Sequence, residues 1–353
     1  MALPRALLTV LSIVLVSAVV AASVTLGILR LQQRTNPQTV DIRPGATVVE
    51  DSAIIKAAGN AKPAVVSIVT AQAPQLQAGS GYLVTSDGYI VTNVQVIAGA
   101  SSLTVFVSAD AKLHQARLVD YDCQTAVAVL KIDQVSGLPT LAFGDPAAVV
   151  SGQVLVAVAG PLQGGAVTRG IVRALHRPVT ITDPATPDKT RQLSDTIQTD
   201  ATIDSGTSGG PLLNIQSQVI GVAMSGSVGE NGYGLNTADI QDDVQQIVQT
   251  GQVIVPSMGA STTDLGAQAA ALKNLPEGGL VESVTTGGPA GTAGLQTGDV
   301  ITQLDDVKVD AAHPLGMLLR SQFHVNQRVT VTYARGGASA QVQLTLVGLH
   351  PTC

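Results

Sequence analysis

Aromatic side chains are nearly missing from this 353-residue chain, which has no Trp, three Phe and five Tyr, 2% in all. Any core must therefore be aliphatic. Charge is scarce too, at 12% against a usual share near ~25%. The formal net charge is −6 and the pI about 5.3, which excludes a global pull toward nucleic acid or anionic lipid. Two cysteines, Cys123 and Cys353, support neither a disulfide framework nor a thiolate zinc site. The five histidines (His114, His176, His313, His324 and His350) include no pair at i, i+4 spacing, so no metal site is expected. No residue pattern calls for a cofactor. What the chain does have is 45% hydrophobic residues and 36 Gly. That rules out disorder and suggests many short strands and turns around aliphatic cores.

Residues 6–29 form an uncharged run of 24 between Arg5 and Arg30, long enough at 1.5 Å per residue to cross ~30 Å of hydrocarbon. A membrane anchor over residues 1–30 is the expectation. The alternative is a signal peptide cleaved near Val20-Ala21-Ala22. Residues 31–50 are polar and turn-rich and read as a flexible linker.

From Asp51 the pattern changes. A short helix over Ala53–Ala58 is followed by strand-like segments at 64–69, 81–85, 89–93, 103–107, 116–120 and 127–132. A second set follows at 153–159, 166–174, 193–199, 210–213, 219–226 and 233–237. Two runs of about six short strands predict two packed β-barrels rather than a βαβ sheet. An amphipathic helix over 240–250 closes this domain, which spans 51–250.

Gly206-Thr207-Ser208-Gly209-Gly210-Pro211 is the most informative segment. Glycines flanking a serine let the backbone turn tightly and aim the N–H groups of Gly206 and Ser208 at one point, as an oxyanion hole requires. A Gly-rich loop with a solvated serine is the bland reading. The context argues against it: Gln198-Thr199-Asp200-Ala201 precedes the loop, Leu212-Leu213-Asn214 follows, and Gly79-Ser80-Gly81-Tyr82-Leu83-Val84 and Asp87-Gly88-Tyr89-Ile90-Val91-Thr92-Asn93 lie upstream. At these residues the chain resembles the HtrA-type family of trypsin-like serine proteases, which carry a PDZ domain behind the protease. The resemblance runs from about Asp51 to Val347. It implies an all-β-dominated double barrel plus an α+β PDZ domain, outside the cytoplasm, and a homotrimer.

Carried over residue by residue, the resemblance implies Ser208 as nucleophile and Gly206 in the oxyanion loop. The family's Thr-Asn-x-His-Val pattern reads Thr92-Asn93-Val94-Gln95-Val96, so Gln95 stands in place of the histidine base. The family's Asp-Leu-Ala-Val-Leu-Lys pattern reads Ala126-Val127-Ala128-Val129-Leu130-Lys131, so Ala126 stands in place of the aspartate. An amide has no protonation change near neutral pH and cannot relay the serine proton. The histidines and Asp120, Asp122 and Asp204 read as surface or turn residues. Cys123, beside the vacant aspartate position, reads as a reactive thiol or a small half-buried residue.

Residues 256–349 resemble a bacterial PDZ domain in Gly288-Pro289-Ala290 and in Ala293-Gly294-Leu295-Gln296-Thr297-Gly298-Asp299-Val300-Ile301. Ser257-Met258-Gly259-Ala260 matches the family's carboxylate-binding loop, and Leu318, on a groove-lining helix, joins Ala260 and Leu265 as apolar walls. Peptide C-termini or unfolded polypeptide segments are the implied partners. Two readings follow. One is a membrane-tethered pseudoprotease that binds peptides or assembles with an active paralogue. The other is an active endopeptidase using Ser208 with an unrecognised base.

Overall fold

Short aliphatic strands punctuated by glycine turns close, in a computed structural model, into the two expected barrels. The structure describes residues 5–34, 47–72, 75–182, 190–193, 195–225, 232–311 and 313–351. Two compact units separate at Glu50/Asp51. In the first, helix α1 (Arg5–Arg34) leaves Leu15, Val16, Val19, Val20, Val24, Leu26 and Ile28 exposed. Among the described residues no helix is long and apolar enough to cross a membrane. Most of the expected linker, 35–46, lies outside the described residues. Helix α2 (Thr47–Ala61) is longer than the helix expected over Ala53–Ala58.

The first barrel is built from β1 (Val65–Gln72), β2 (Gln75–Leu83), β3 (Tyr89–Asn93), β4 (Ser102–Val107), β5 (Lys112–Asp122) and β6 (Val127–Ile132), closed in the order β1-β2-β3-β6-β5-β4. One turn of helix, α3 (Val94–Ile97), follows β3. The second barrel uses β7 (Val154–Val158) and β8 (Val167–Ala174), then β11 (Thr196–Thr199), β12 (Pro211–Leu213), β13 (Val219–Met224) and β14 (Gly232–Asn236), closed as β11-β14-β13-β12-β7-β8. Between β8 and β11 a hairpin, β9 (Val179–Thr182) with β10 (Thr190–Leu193), stands apart. Its four-residue strands are too short to show a period, and the expected segment 193–199 takes in only the last residue of β10 together with β11; the hairpin's buried Val179, Ile181 and Leu193 join the inter-barrel core.

Burial follows from the strand patterns. β4 alternates, with Leu103, Val105 and Val107 inward, as a half-buried strand should. β6 and β13 are buried along their whole length, because one face fills a barrel and the other meets the second barrel. That seam holds Tyr82, Val91, Val129, Val156, Val158 and Val222. Tyr82 is fully buried with no partner for its hydroxyl, and burial pushes its ionisation far up. Helix α4 (Thr237–Thr250) packs on β5, β6, β13 and β14 through buried Ile240, Val244 and Ile247. Asn236 caps its start, and Gly251 at φ +84° ends it, a position that suits glycine.

The C-terminal domain has β15 (Val255–Ser257), β16 (Ala260–Leu265), α5 (Ala267–Lys273), β17 (Gly278–Val284), α6 (Pro289–Thr292), β18 (Val300–Leu304), β19 (Val307–Lys308), α7 (Leu315–Gln322), β20 (Arg328–Arg335), β21 (Ala338–Thr345) and β22 (Val347–Leu349). Its sheet runs β16-β17-β18-β20-β21, so β16 is an edge strand. Leu315, Leu318 and Leu319 of α7 and Phe323 sink into its core.

Candidate functional site

Ser208 sits where the barrels meet, held by backbone and by one buried side chain. Its carbonyl accepts the Ser80 N–H at 2.8 Å. Its Oγ accepts from Asn93 Nδ2 at 2.9 Å and from the Ser225 N–H at 3.4 Å. Asn93, at the end of β3, is completely buried. Its Nδ2 also donates to the Ala223 carbonyl (2.9 Å), and its Oδ1 accepts the Val96 N–H (2.9 Å), capping α3. A backbone acceptor on one side and a backbone donor on the other settle the amide's orientation chemically. The group facing Ser208 is thus an N–H donor, which takes up a lone pair of Oγ and cannot accept its proton.

The other two positions converge on the same place. Ala126 is fully buried, and its carbonyl accepts the Val94 N–H at 2.8 Å, one residue past Asn93. Gln95 follows in α3. A Cβ added to Gly79 would lie 2.7 Å from Val96 Cγ2 and 3.3 Å from the Ser208 carbonyl, so the 94–96 turn abuts the serine loop. Gln95 Oε1 is buried and has no hydrogen-bond partner. Ala126 has φ +59°, a left-handed conformation that a Cβ disfavours and that Asp or Asn adopts more readily.

The glycine loop differs from expectation in its donors. The Ser208 N–H is donated to the Asp204 carbonyl at 3.0 Å. The Asp204 carboxylate accepts the Thr207 N–H (2.7 Å) and Thr207 Oγ1 (2.8 Å). The Thr207 hydroxyl, followed by the Thr207 N–H, holds that carboxyl below its usual range. One of the two N–H groups expected to form an oxyanion hole, that of Ser208, is therefore turned onto the Asp204 backbone. Asp204 is the residue that sequence reasoning missed: it reads as a turn residue, and an aspartate placed for an Asx turn four residues before Ser208 was the available signal. Asn93 was missed as well, since it was quoted only as part of a strand motif.

Each histidine is engaged elsewhere. His114 pairs with Asp110 (2.9 Å), His176 with Asp195 (3.1 Å), His313 with Asp310 (3.1 Å) and His350 with Asp120 (2.8 Å), and His324, whose backbone N–H is donated to Gln327 Oε1 at 2.9 Å, lies in the C-terminal domain. Among the described residues no imidazole bonds Ser208. Cys123 corrects both sequence readings: it is 1% exposed and disulfide-bonded, and the sequence holds one other cysteine, Cys353, which lies outside the described residues. The tail returns in space to this turn, which spacing in sequence does not show: the Cys123 N–H meets the Pro351 carbonyl at 3.3 Å.

Gly209 has φ +82°, and a Cβ there would lie far inside contact distance of the Ser80 carbonyl and Thr92 Oγ1. Gly209→Ala is expected to lower stability by about 3 kcal/mol or more, combining left-handed strain with collision against backbone. A shift of the urea midpoint of less than half that size would show that the loop relaxes.

In the C-terminal domain Gly259 has φ +72°. Its N–H is donated to Ser257 Oγ (3.0 Å), while the Met258 and Gly259 carbonyls accept from Ala290 and Thr285 (2.8 Å each). Met258 and Leu318 are each 2% exposed, and Leu265 4%. They form domain core rather than the open groove walls expected of Leu318 and Leu265, because both elements carrying them turn these side chains inward. Ala260 is half-buried at the start of the edge strand β16.

Comparison with known proteins agrees with the fold. A family model described as a trypsin-like peptidase domain matches residues 79–222, and one described as a PDZ domain matches residues 256–346. The serine protease Do-like HtrA of Lactococcus lactis subsp. cremoris is 37% identical over 292 residues, covering 76% of this chain and 70% of the relative. A probable periplasmic serine endoprotease DegP-like of Rickettsia conorii is 32% identical over 267 residues, covering 73% of this chain and 51% of the relative. Among solved structures, the HtrA-type protease AlgW with decapeptide matches with a TM-score of 0.68 at 26% identity, over 85% of this chain and 99% of that one.

Proposed function

Since this chain belongs to the HtrA-type family of trypsin-like serine proteases with a PDZ domain, we propose that it is a degenerate, non-cleaving member whose working site is the PDZ groove. The barrel domain spans 51–250 in this reading, and the PDZ domain 256–349. One observation carries it: the Ser208 Oγ receives the Asn93 amide N–H, and the base and acid positions hold Gln95 and Ala126. Proton transfer from the serine needs an acceptor of suitable pKa within hydrogen-bond reach. A carboxamide supplies none. The turning of the Ser208 N–H onto the Asp204 carbonyl lowers the remaining contribution that such a site could make without a base.

The groove keeps the parts that peptide capture requires. β16 has an unpaired edge, onto which an extended peptide adds as a strand, and the Ser257–Ala260 loop precedes it to meet a terminal carboxylate. Asp264 of β16 accepts the Leu315 N–H at 3.1 Å and so fixes the start of α7 beside that edge. The related AlgW protease was solved with a decapeptide, in keeping with this class of ligand. An extracytoplasmic location accords with the periplasmic relative, and a membrane tether through residues 6–29 accords with their uncharged composition.

The test is a titration of the full chain with fluorescent peptides ending in a hydrophobic residue and a free carboxylate. Saturable binding in the micromolar range is expected. Amidating the peptide terminus or making Gly259→Val should each weaken it about tenfold or more, about 1.4 kcal/mol. Absence of binding at high micromolar peptide would remove the groove as the working site.

A further inference from the structure

The turn that leads into Ala126 is gripped by the PDZ domain. Arg320 of α7 forms ion pairs with Asp122 and with Asp243 (3.1 Å) and bonds Gln124 Oε1 at 3.2 Å. Asp122 is completely buried, and its Oδ1 accepts the Gln124 and Thr125 N–H groups at 2.6 and 3.2 Å. Thr125 Oγ1 donates to Asp243 Oδ2 at 2.9 Å. One guanidinium therefore faces the buried carboxyls of Asp122 and Asp243, and Asp239 stands one helical turn away on α4. A cavity of about 430 Å³ opens between α4 and α7 beside them, so solvent protons reach the cluster.

We propose that Arg320 with the carboxyls of Asp122, Asp239 and Asp243 forms a proton-operated clasp, which seats the PDZ domain on the 120–126 turn while the cluster holds a proton and loosens when every carboxyl is ionised. Charge balance is the reason. With Asp122 alone ionised, one anion meets one cation. With all three ionised, three anions share one cation in a half-desolvated space, and the excess repulsion is unscreened.

The surrounding charges do not cancel this. Asp195 and His176 approach from the second barrel, and they act on Asp239 with opposite sign. Asp242 of α4 and Asp264 and His324 of the PDZ domain line the same cavity. An exposed aspartate ionises near pH 4. In the clasp, burial and then Asp195 push Asp239 up to about 7, and burial and then Asp122 push Asp243 in the same direction. Closure thus takes up protons between about pH 4 and pH 7. The closed form is most favoured below that window, loses its advantage as pH rises through it, and changes no further above.

The clasp also touches the serine site. The turn it grips ends at Ala126, whose carbonyl holds the Val94 N–H next to Asn93. The same turn is tied to the tail through Asp120 with His350 and through Cys123, so loosening is a rotation about that tether rather than release. None of this depends on whether Ser208 cleaves or what the groove binds.

The experiment is a spin-label distance measurement between Gln245→Cys on α4 and Gln322→Cys on α7, both exposed, in the full chain with Cys123 left oxidised. One narrow distance distribution is expected at pH 5.5. At pH 8.5 a second, longer component should appear, with the open-to-closed ratio raised about tenfold and a midpoint near neutrality. Asp239→Asn with Asp243→Asn should stay narrow at both pH values, and Arg320→Gln should be broad at both. An unchanged distribution in the otherwise wild-type chain overturns the clasp without reference to any variant. So does a double-Asn variant that keeps the full pH response, or an Arg320→Gln variant that stays narrow.

Discussion

Ser208→Ala is expected to leave the degradation of an unfolded substrate at the wild-type rate, because the wild-type rate is already background. In serine proteases with a triad, loss of one member leaves ~10³–10⁴ of acceleration over water, a cost on the order of ~10⁶ in turnover. Here base and acid are both replaced, and the Ser208 N–H is spent on the Asp204 carbonyl. A fluorophosphonate should not label the protein. Gln95→His with Ala126→Asp should bring labelling back. The left-handed backbone at position 126 accepts aspartate at least as well as alanine, and the carboxylate would stand beside the turn bearing residue 95. That double variant should still fall short by ~10²–10³, the usual worth of an oxyanion donor. Adding Asp204→Ala, which removes the carboxylate that holds Thr207 and so lets the 204–208 turn rearrange, should recover part of the deficit. Cleavage by the wild type that vanishes in Ser208→Ala would refute the degenerate reading outright.

The second large effect concerns stability. Asn93→Ala is expected to cost about 2 kcal/mol, roughly 1 for the lost cap on α3 and the rest for the donor lost to Ser208 and to the Ala223 carbonyl, which keeps its bond from the Gly209 N–H. The residue joins the two barrels through one amide, so the loss falls on their seam and should appear as a lower urea midpoint with an unchanged slope. Asn93→Asp separates cap from bridge. It keeps the acceptor for Val96 but sets a carboxylate oxygen against the Ala223 carbonyl. Its deficit at pH 7 should shrink as the pH falls and the buried carboxyl gains a proton, since such a group ionises later when folded than when unfolded. A deficit indifferent to pH would mean that the bridge contributes little.

Much of this molecule was legible in one dimension. Alternation in β4, continuous apolar runs in β6 and β13, and glycine turns at regular intervals predict two barrels because strand burial leaves a period in the sequence. The vacant base and acid positions were equally legible, because Gln95 and Ala126 are negative facts about side-chain chemistry and need no coordinates. What could not be read were contacts between residues far apart in the chain. Asn93 and Ser208 are 115 positions apart, and Asp122 and Arg320 are 198 apart; no local pattern encodes either pairing. Leu318 was placed on the right helix, but which way that helix turned it depended on packing against the domain core.

The sequence by itself determined the fold class and the residues, Gln95 and Ala126, at the positions where the family pattern has histidine and aspartate, for both rest on residue type and short-range period. Only the tertiary structure decided that an asparagine fills the space before Ser208, that the Asp204 carbonyl takes the Ser208 N–H, and that Cys123 is bonded rather than free. Those facts depend on where distant backbone segments cross, and the crossing points are set by the joint packing of two barrels and a PDZ domain.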